Sequence, residues 1–241
     1  MTVRKKLAIA GATILVAVVL FAVFYELTLP EQDTLYQVSA FNVFSEGHFE
    51  GNVTYAELAR HGDFGIGTLN GLNGEMIAFD GKFYQIPTDG PPRQIGSGEL
   101  TPYATVTFFS SDQTFQVADV SSFSQLTEEI NATLPNYHAI YGIKVHGFFD
   151  FAETRSVPMQ NKPYPALTEV VKNQTVFNLN GVEGTLVGFF FPSSMNGVDF
   201  AGYHLHFLTD DRTAGGHLLE CVIKNATVEI DQINDYHLLI P

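Results

Sequence analysis

Apolar and polar residues alternate over short stretches along most of this chain, the two-residue period of strands whose two faces meet different surroundings. Residues 36–44 begin the series. Residues 76–79 and 81–86 flank the turn Asp80-Gly81 as a hairpin, and residues 101–110 form a longer run. Residues 139–151 place Ile143, Val145 and Gly147 on one face and continue towards Arg155. Residues 175–179, 185–191, 202–208, 217–223 and 226–230 then follow closely, the spacing of a small sheet or barrel in the last third. A helical period appears in only two places. Residues 54–60 make a short helix with Glu57 and Arg60 as neighbours one turn apart. Residues 123–134 repeat Leu126, Ile130 and Leu134 every four positions, behind Ser121, Ser122 and Ser124 as available caps.

These elements predict a β-rich α+β protein of two domains. Residues 36–150 form an N-terminal domain around a mixed sheet, and residues 151–241 a smaller β domain that is barrel-like or a sheet. The change falls between Leu134 and Gln174, where a loop carries Pro158, Pro163 and Pro165. The first 26 residues differ in kind. Arg4, Lys5 and Lys6 precede an apolar or small-residue run from Leu7 to Phe24, and 18 residues of helix rise about 27 Å, close to the hydrocarbon thickness of a bilayer. No small-x-small cleavage site follows, so residues 1–26 read first as a retained signal anchor and second as a cleaved signal peptide. Residues 27–35 are a linker. Either reading exports the rest of the chain.

A net charge of −14 excludes a nucleic-acid partner, since phosphates attract basic surfaces. Four Asn-x-Thr sequons, at Asn52, Asn131, Asn173 and Asn225, accord with export and with glycosylation. Cys221 is the single cysteine, which rules out an intrachain disulfide. It sits in an apolar run and reads as a buried, inert thiol. The glycines of residues 61–74 lack a following Gly-Lys-Ser/Thr and a helix, so they do not form a phosphate loop.

Candidate chemistry concentrates in residues 202–221. His204 and His206 project to one side of a strand while Leu205 faces the other. A polar turn ending in Gly215-Gly216 lets the chain return and bring His217 beside them. Three imidazoles without a fourth protein ligand have the pattern of a catalytic metal site, whose open positions take water or substrate; the alternative is histidines that are simply packed or hydrogen-bonded in their strands. Asp210 and Asp211 either orient those imidazoles or simply shape the turn. Arg155 either binds a substrate carboxylate or makes an ordinary ion pair, with Glu153 as one partner. Glu75, at the exit of the Gly-rich stretch, is either a general acid-base or a solvated strand-end carboxylate. His61, His146 and His237 have no partners that spacing can name.

Three stretches carry a resemblance: Tyr203-His204-Leu205-His206-Phe207-Leu208-Thr209-Asp210-Asp211-Arg212 through Gly215-Gly216-His217; Gly71-Leu72-Asn73-Gly74-Glu75-Met76; and Thr154-Arg155-Ser156-Val157 followed by Lys162-Pro163-Tyr164. Together they resemble the acetolactate decarboxylase family, in the family's order and over most of the chain from residue 36. The resemblance implies a zinc-dependent lyase converting 2-acetolactate, a small 2-hydroxy-3-keto acid, to acetoin and carbon dioxide. It implies His204, His206 and His217 as metal ligands, Glu75 and Arg155 facing the substrate, and Thr68, Leu72 and Val157 along its apolar side. It also implies a homodimer. Family members commonly carry a further acidic residue in a C-terminal tail, which has no counterpart after Asp235-Tyr236-His237, so Glu75 or an unidentified substitute is expected to act in its place. Two other readings remain beside this one: a different three-histidine metal enzyme of cupin-like type, and an anchored binding protein without catalysis.

Overall fold

Alternation becomes sheet nearly everywhere in the computed structural model, which describes residues 33–240. The first elements are β1 (Thr34–Val38), α1 (Phe41–Ser45), β2 (Val53–Thr54), α2 (Tyr55–Leu58), β3 (Phe64–Gly67), β4 (Glu75–Phe79), β5 (Lys82–Ile86) and β6 (Arg93–Gln94). Then come β7 (Leu100–Thr101), β8 (Ala104–Thr107), β9 (Gln113–Val120), α3 (Phe123–Asn131) and β10 (Ile140–Ser156). After α4 (Leu167–Val170) the chain closes with β11 (Thr175–Phe191), β12 (Gly202–Thr209), β13 (Gly215–Ile233) and β14 (Asp235–Leu239). The anchor or signal helix expected over residues 1–26 lies outside the described residues. Among the described residues, no helix is long and apolar enough to cross a membrane.

Two main sheets organise the molecule, and the fold is β-rich α+β. Seven strands pair in the order β14-β1-β8-β3-β4-β5-β6, antiparallel except for the parallel pair of β14 with β1. Five strands pair as β10-β11-β12-β13-β9, and β13 also bonds β10, so that β10, β11, β12 and β13 form a closed circuit. The domain boundary expected between residues 150 and 151 falls inside β10, which pairs with β11 and β13 on both sides of it.

Several expected elements merge or change type. Residues 175–179 and 185–191 belong to one strand, β11, and residues 217–223 and 226–230 to one strand, β13. Residues 36–44 divide into the end of β1 and the helix α1. The expected helix over 123–134 is α3, where the Ser122 hydroxyl accepts from Gln125 N–H at 3.1 Å as the cap. Its Leu126 and Ile130 are fully buried against Ile143, Val145, Phe149 and Phe207, each such side chain contributing about 1.5–3 kcal/mol.

A second apolar cluster joins the two sheets: Ile66, Ile77 and Ile86 from β3–β5 meet Val187, Phe189, Phe191 and Leu208 from β11 and β12. That packing holds β4, which carries Glu75 and Met76, against the strand that carries His204 and His206.

One buried carboxylate costs the fold stability. Asp231 of β13 pairs with Gly142 of β10, and its Oδ2 accepts from Ser110 N–H at 3.1 Å while Oδ1 has no partner. Burial, with Asp112, Asp33 and Asp63 adding to it, pushes this carboxyl up to about 7. Between its unfolded value and about 7 the folded protein therefore binds the extra proton, and stability falls as pH rises through that window. Asp231→Asn is expected to raise the melting temperature above pH 7 and to change it little near pH 4. Equal gains at both pH values, read by calorimetry, would contradict this account.

Candidate metal centre and the cavity around it

β12 sends Leu205 and Phe207 into the core and turns His204 and His206 the other way. Across the β12–β13 ladder His206 pairs with His217. Gly216 makes the approach possible. It sits at φ +139°, and a Cβ there would lie 2.4 Å from the Arg155 carbonyl oxygen. With hydrogen in that place β13 reaches β10, and His217 lies opposite Arg155. One ring nitrogen from each of His204, His206 and His217 lies within 4.8 Å of the others, the one such histidine or carboxylate group among the described residues.

Electrostatics keep these rings neutral. Burial pushes all three histidines below their usual range, His206 to about 3, and nearby Arg155 adds to the effect in each. His206 Nδ1 lies 2.7 Å from the carbonyl oxygen of Met76. A neutral ring whose Nδ1 donates there carries its lone pair on Nε2. His204 Nδ1, His206 Nε2 and His217 Nδ1 are buried without a hydrogen-bond partner. Orphaned buried nitrogens are rare because each forfeits its hydration, and a divalent cation with nitrogen ligands satisfies such a set. The residues present fit a metal ion.

The carbonyl of Met76 does the orienting that the turn acids were candidates for. Asp210 Oδ2 instead lies 3.1 Å from His146 Nε2 on the surface, and Asp211 Oδ1 accepts from the N–H and hydroxyl of Thr213. Their place in the turn is conformational, and the orienting contact comes from a strand distant in sequence.

Glu75 and Arg155 meet beside the imidazoles. Arg155 Nη1 donates to Glu75 Oε1 at 2.9 Å, and Glu75 Oε2 lies 3.5 Å from His206 Nε2. Arg155 is thus ion-paired with the other candidate residue, not with Glu153, and only one of its five donors is engaged in that bond. Burial raises the Glu75 carboxyl above its ordinary range, while Arg155 acts in the opposite direction. Alternation along β10 explains why Arg155 faces inward. Thr154 and Ser156, on the opposite face, are fully buried and donate to the carbonyls of Gly215 and Ile86.

All eight residues expected at the site line one cavity of about 230 Å³. Leu72 and Val157 belong to its apolar wall, in a cluster with Phe44, Phe49 and Tyr103. Leu72 holds φ +52°, a left-handed conformation that branched side chains avoid. Its loop is pinned by Gly74 N–H to Val157 O and by Gln160 N–H to Gly71 O. Thr68 donates its hydroxyl to the Gly74 carbonyl at 2.6 Å, so it shapes that loop as well as lining the cavity. Phe41, Tyr103, Leu167 and Phe200 also line the wall. Sequence reasoning missed them, and no spacing signal marks apolar and aromatic residues that arrive from four separate loops and short elements.

The chain is similar in sequence and fold to proteins of one family. The family model for alpha-acetolactate decarboxylase matches residues 35–241. The alpha-acetolactate decarboxylase of Methanosarcina mazei is 42% identical over 209 residues, covering 87% of this chain and 73% of that protein. The one from Methylococcus capsulatus is 43% identical over 213 residues, covering 88% and 81%. A crystal structure of the Bacillus subtilis enzyme superposes with a TM-score of 0.84 at 39% identity, covering 86% of this chain and 89% of that one. With a match of that extent, and similarity of sequence and fold together, the chain belongs to the alpha-acetolactate decarboxylase family.

Proposed function

We propose that this protein decarboxylates 2-acetolactate to acetoin and carbon dioxide with zinc as its metal. The observation that carries the reading is the convergence of three orphaned imidazoles with the Arg155–Glu75 pair in one apolar-walled cavity. His204, His206 and His217 would hold the ion. When bound, it supplies Lewis-acid stabilisation of the negative charge that loss of carbon dioxide places on the substrate's carbonyl oxygen.

The chain's own residues supply the rest. Arg155 uses donors not engaged by Glu75 to hold the substrate carboxylate, with two parallel hydrogen bonds fixing its plane. Glu75, a carboxylate that burial raises above its ordinary range so that it can take up a proton in the cycle, delivers that proton to the carbon that carbon dioxide leaves, so that acetolactate anion plus one proton balances acetoin plus carbon dioxide. Thr68, Leu72 and Val157 line the substrate's apolar side. Excluding water there strengthens each charge interaction inside the cavity. Residues 1–26 supply a membrane anchor that places the enzyme on the exported side.

One preparation tests both parts. The full chain, supplied with zinc, is separated into carbonate-washed membranes and soluble fraction, and each is given racemic 2-acetolactate. Acetoin formation above the spontaneous rate, concentrated in the membranes, is the expected result. No excess acetoin in either fraction would sink the decarboxylase reading, and activity confined to the soluble fraction would sink the anchor.

A further inference from the structure

The outer rim of the cavity is built by the segment between β11 and β12, which is pinned at several points. α1 has no side-chain cap, so its first donors turn to this segment: Phe41 N–H to Val198 O at 2.8 Å and Asn42 N–H to Gly197 O at 2.9 Å. Gln37 Nε2 donates to the same Val198 carbonyl at 2.7 Å. Asp199 follows, 1% exposed, with its carboxylate taking three hydrogen bonds. Oδ1 accepts from the Tyr103 hydroxyl at 2.7 Å and from Phe200 N–H at 2.6 Å, and Oδ2 accepts from the Thr105 hydroxyl at 3.1 Å.

Phe200 breaks the pattern. On this tightly held backbone its side chain is 44% exposed, and it belongs to none of the buried apolar clusters. Its ring lies 5.6 Å from the ring of His204 and 5.9 Å from that of Phe41, and it lines the cavity. An aromatic ring left half in water contributes little to the core. A ring fixed at the rim beside a candidate metal ligand does have a use, as the wall against which a substrate's apolar part must fit.

We propose that Phe200 is a specificity-determining residue that limits the alkyl group on C2 of the 2-hydroxy-3-keto acid, and that Asp199 is the positioning residue that sets the ring. This rests on the decarboxylase reading above. A methyl group packs under the ring. A longer chain must push it aside, and the three hydrogen bonds to Asp199 oppose that movement because they hold both the ring's own backbone and the neighbouring Tyr103. In a wall of this kind each added methylene is worth about tenfold in kcat/KM.

The test uses the zinc-loaded full chain with 2-acetolactate and its 2-ethyl and 2-propyl homologues. Wild type is expected to lose about tenfold in kcat/KM per added methylene. Phe200→Ala is expected to flatten that series, through KM for the longer acids more than through kcat, with bound zinc unchanged. Asp199→Asn keeps an oxygen to accept from Tyr103 and Phe200, and is expected to follow wild type. Asp199→Ala is expected to follow Phe200→Ala. Tyr103→Phe, which deletes one donor and keeps its ring, shifts the series the same way by a smaller step and serves if Asp199→Ala does not fold. Unchanged selectivity in Phe200→Ala overturns the size limit. Wild-type selectivity in Asp199→Ala, or in Tyr103→Phe should that variant be the one used, overturns the positioning role. If wild type forms no acetoin at all, it is the decarboxylase reading that fails. Calorimetric binding of the 2-methyl and 2-propyl acids to wild type and Phe200→Ala then decides the size limit on its own.

Discussion

His206→Ala is expected to leave a folded protein that retains no zinc after dialysis and forms acetoin about 10³-fold more slowly, a loss of about 4 kcal/mol in transition-state stabilisation. The reason lies in how this ring is held. It is fully buried, neutral and anchored through Nδ1 to the Met76 carbonyl, so that Nε2 points at its neighbours with nothing else to bond. Alanine removes a nitrogen that two remaining imidazoles cannot replace. It also leaves the Met76 carbonyl without its partner, which costs about 1–3 kcal/mol of stability, so a modest fall in melting temperature accompanies the loss. His146→Ala is the control. That ring is exposed, pairs only with Asp210, and lies away from the cavity, so metal content and turnover should both stay at wild-type values. Metal analysis and an acetoin assay on the two variants decide the matter: a His206→Ala protein with full zinc and full rate would remove His206 from the ligand set.

The second large effect concerns the buried ion pair. Arg155→Ala leaves the Glu75 carboxylate, 8% exposed, without its cation, and breaking a pair in such surroundings costs about 3–5 kcal/mol because an uncompensated charge stays behind. Turnover falls as well, since the carboxylate of the substrate loses its clamp. Stability and activity can be separated. Adding Glu75→Gln to Arg155→Ala removes the stranded charge and is expected to restore most of the lost stability, while acetoin formation stays at the level of the single variant or lower. Urea unfolding of the three proteins measures the first quantity and the acetoin assay the second. A double variant no more stable than Arg155→Ala would show that the loss does not come from an uncompensated charge at Glu75.

The parts of this site that sequence made legible are those whose chemistry is local. His204 and His206 share a face by strand period alone, and His217 follows across a turn whose glycines announce it. Arg155 and Glu75 are 80 residues apart in sequence, and only the family resemblance brought them together. What orients His206 was not legible at all, because a backbone carbonyl has no letter in the sequence, whereas Asp210 and Asp211 attracted attention by being acidic and near. The aromatic rim shows the same limit: Phe41, Tyr103 and Phe200 become neighbours only through tertiary packing. In the fold, the residues that separate the two strands expected over 175–179 and 185–191 lie within β11, where Gly181 takes φ +60° and pairing with β10 continues past it. β9 passed unread because it alternates between exposed and half-buried positions at a sheet edge, with only Val117 and Val120 fully covered. Short strands joined by polar residues look separate in sequence, and a long partner strand is what makes them continuous.

The parallel pairing of β1 with β14 has a consequence for the order of events in folding. Thr34 lies opposite Asp235 and Val38 opposite Leu239, partners roughly 200 residues apart along the chain. Such contacts collect their loop-closure entropy cost before they return any stabilisation, and they slow folding accordingly. Of the described strands, β1 is synthesised first and its partner β14 last. Until then one edge of the large sheet stands open, including the backbone beside Leu35 and Val38, which end up fully buried. Completion of the sheet that carries Glu75 therefore waits for β14 to emerge.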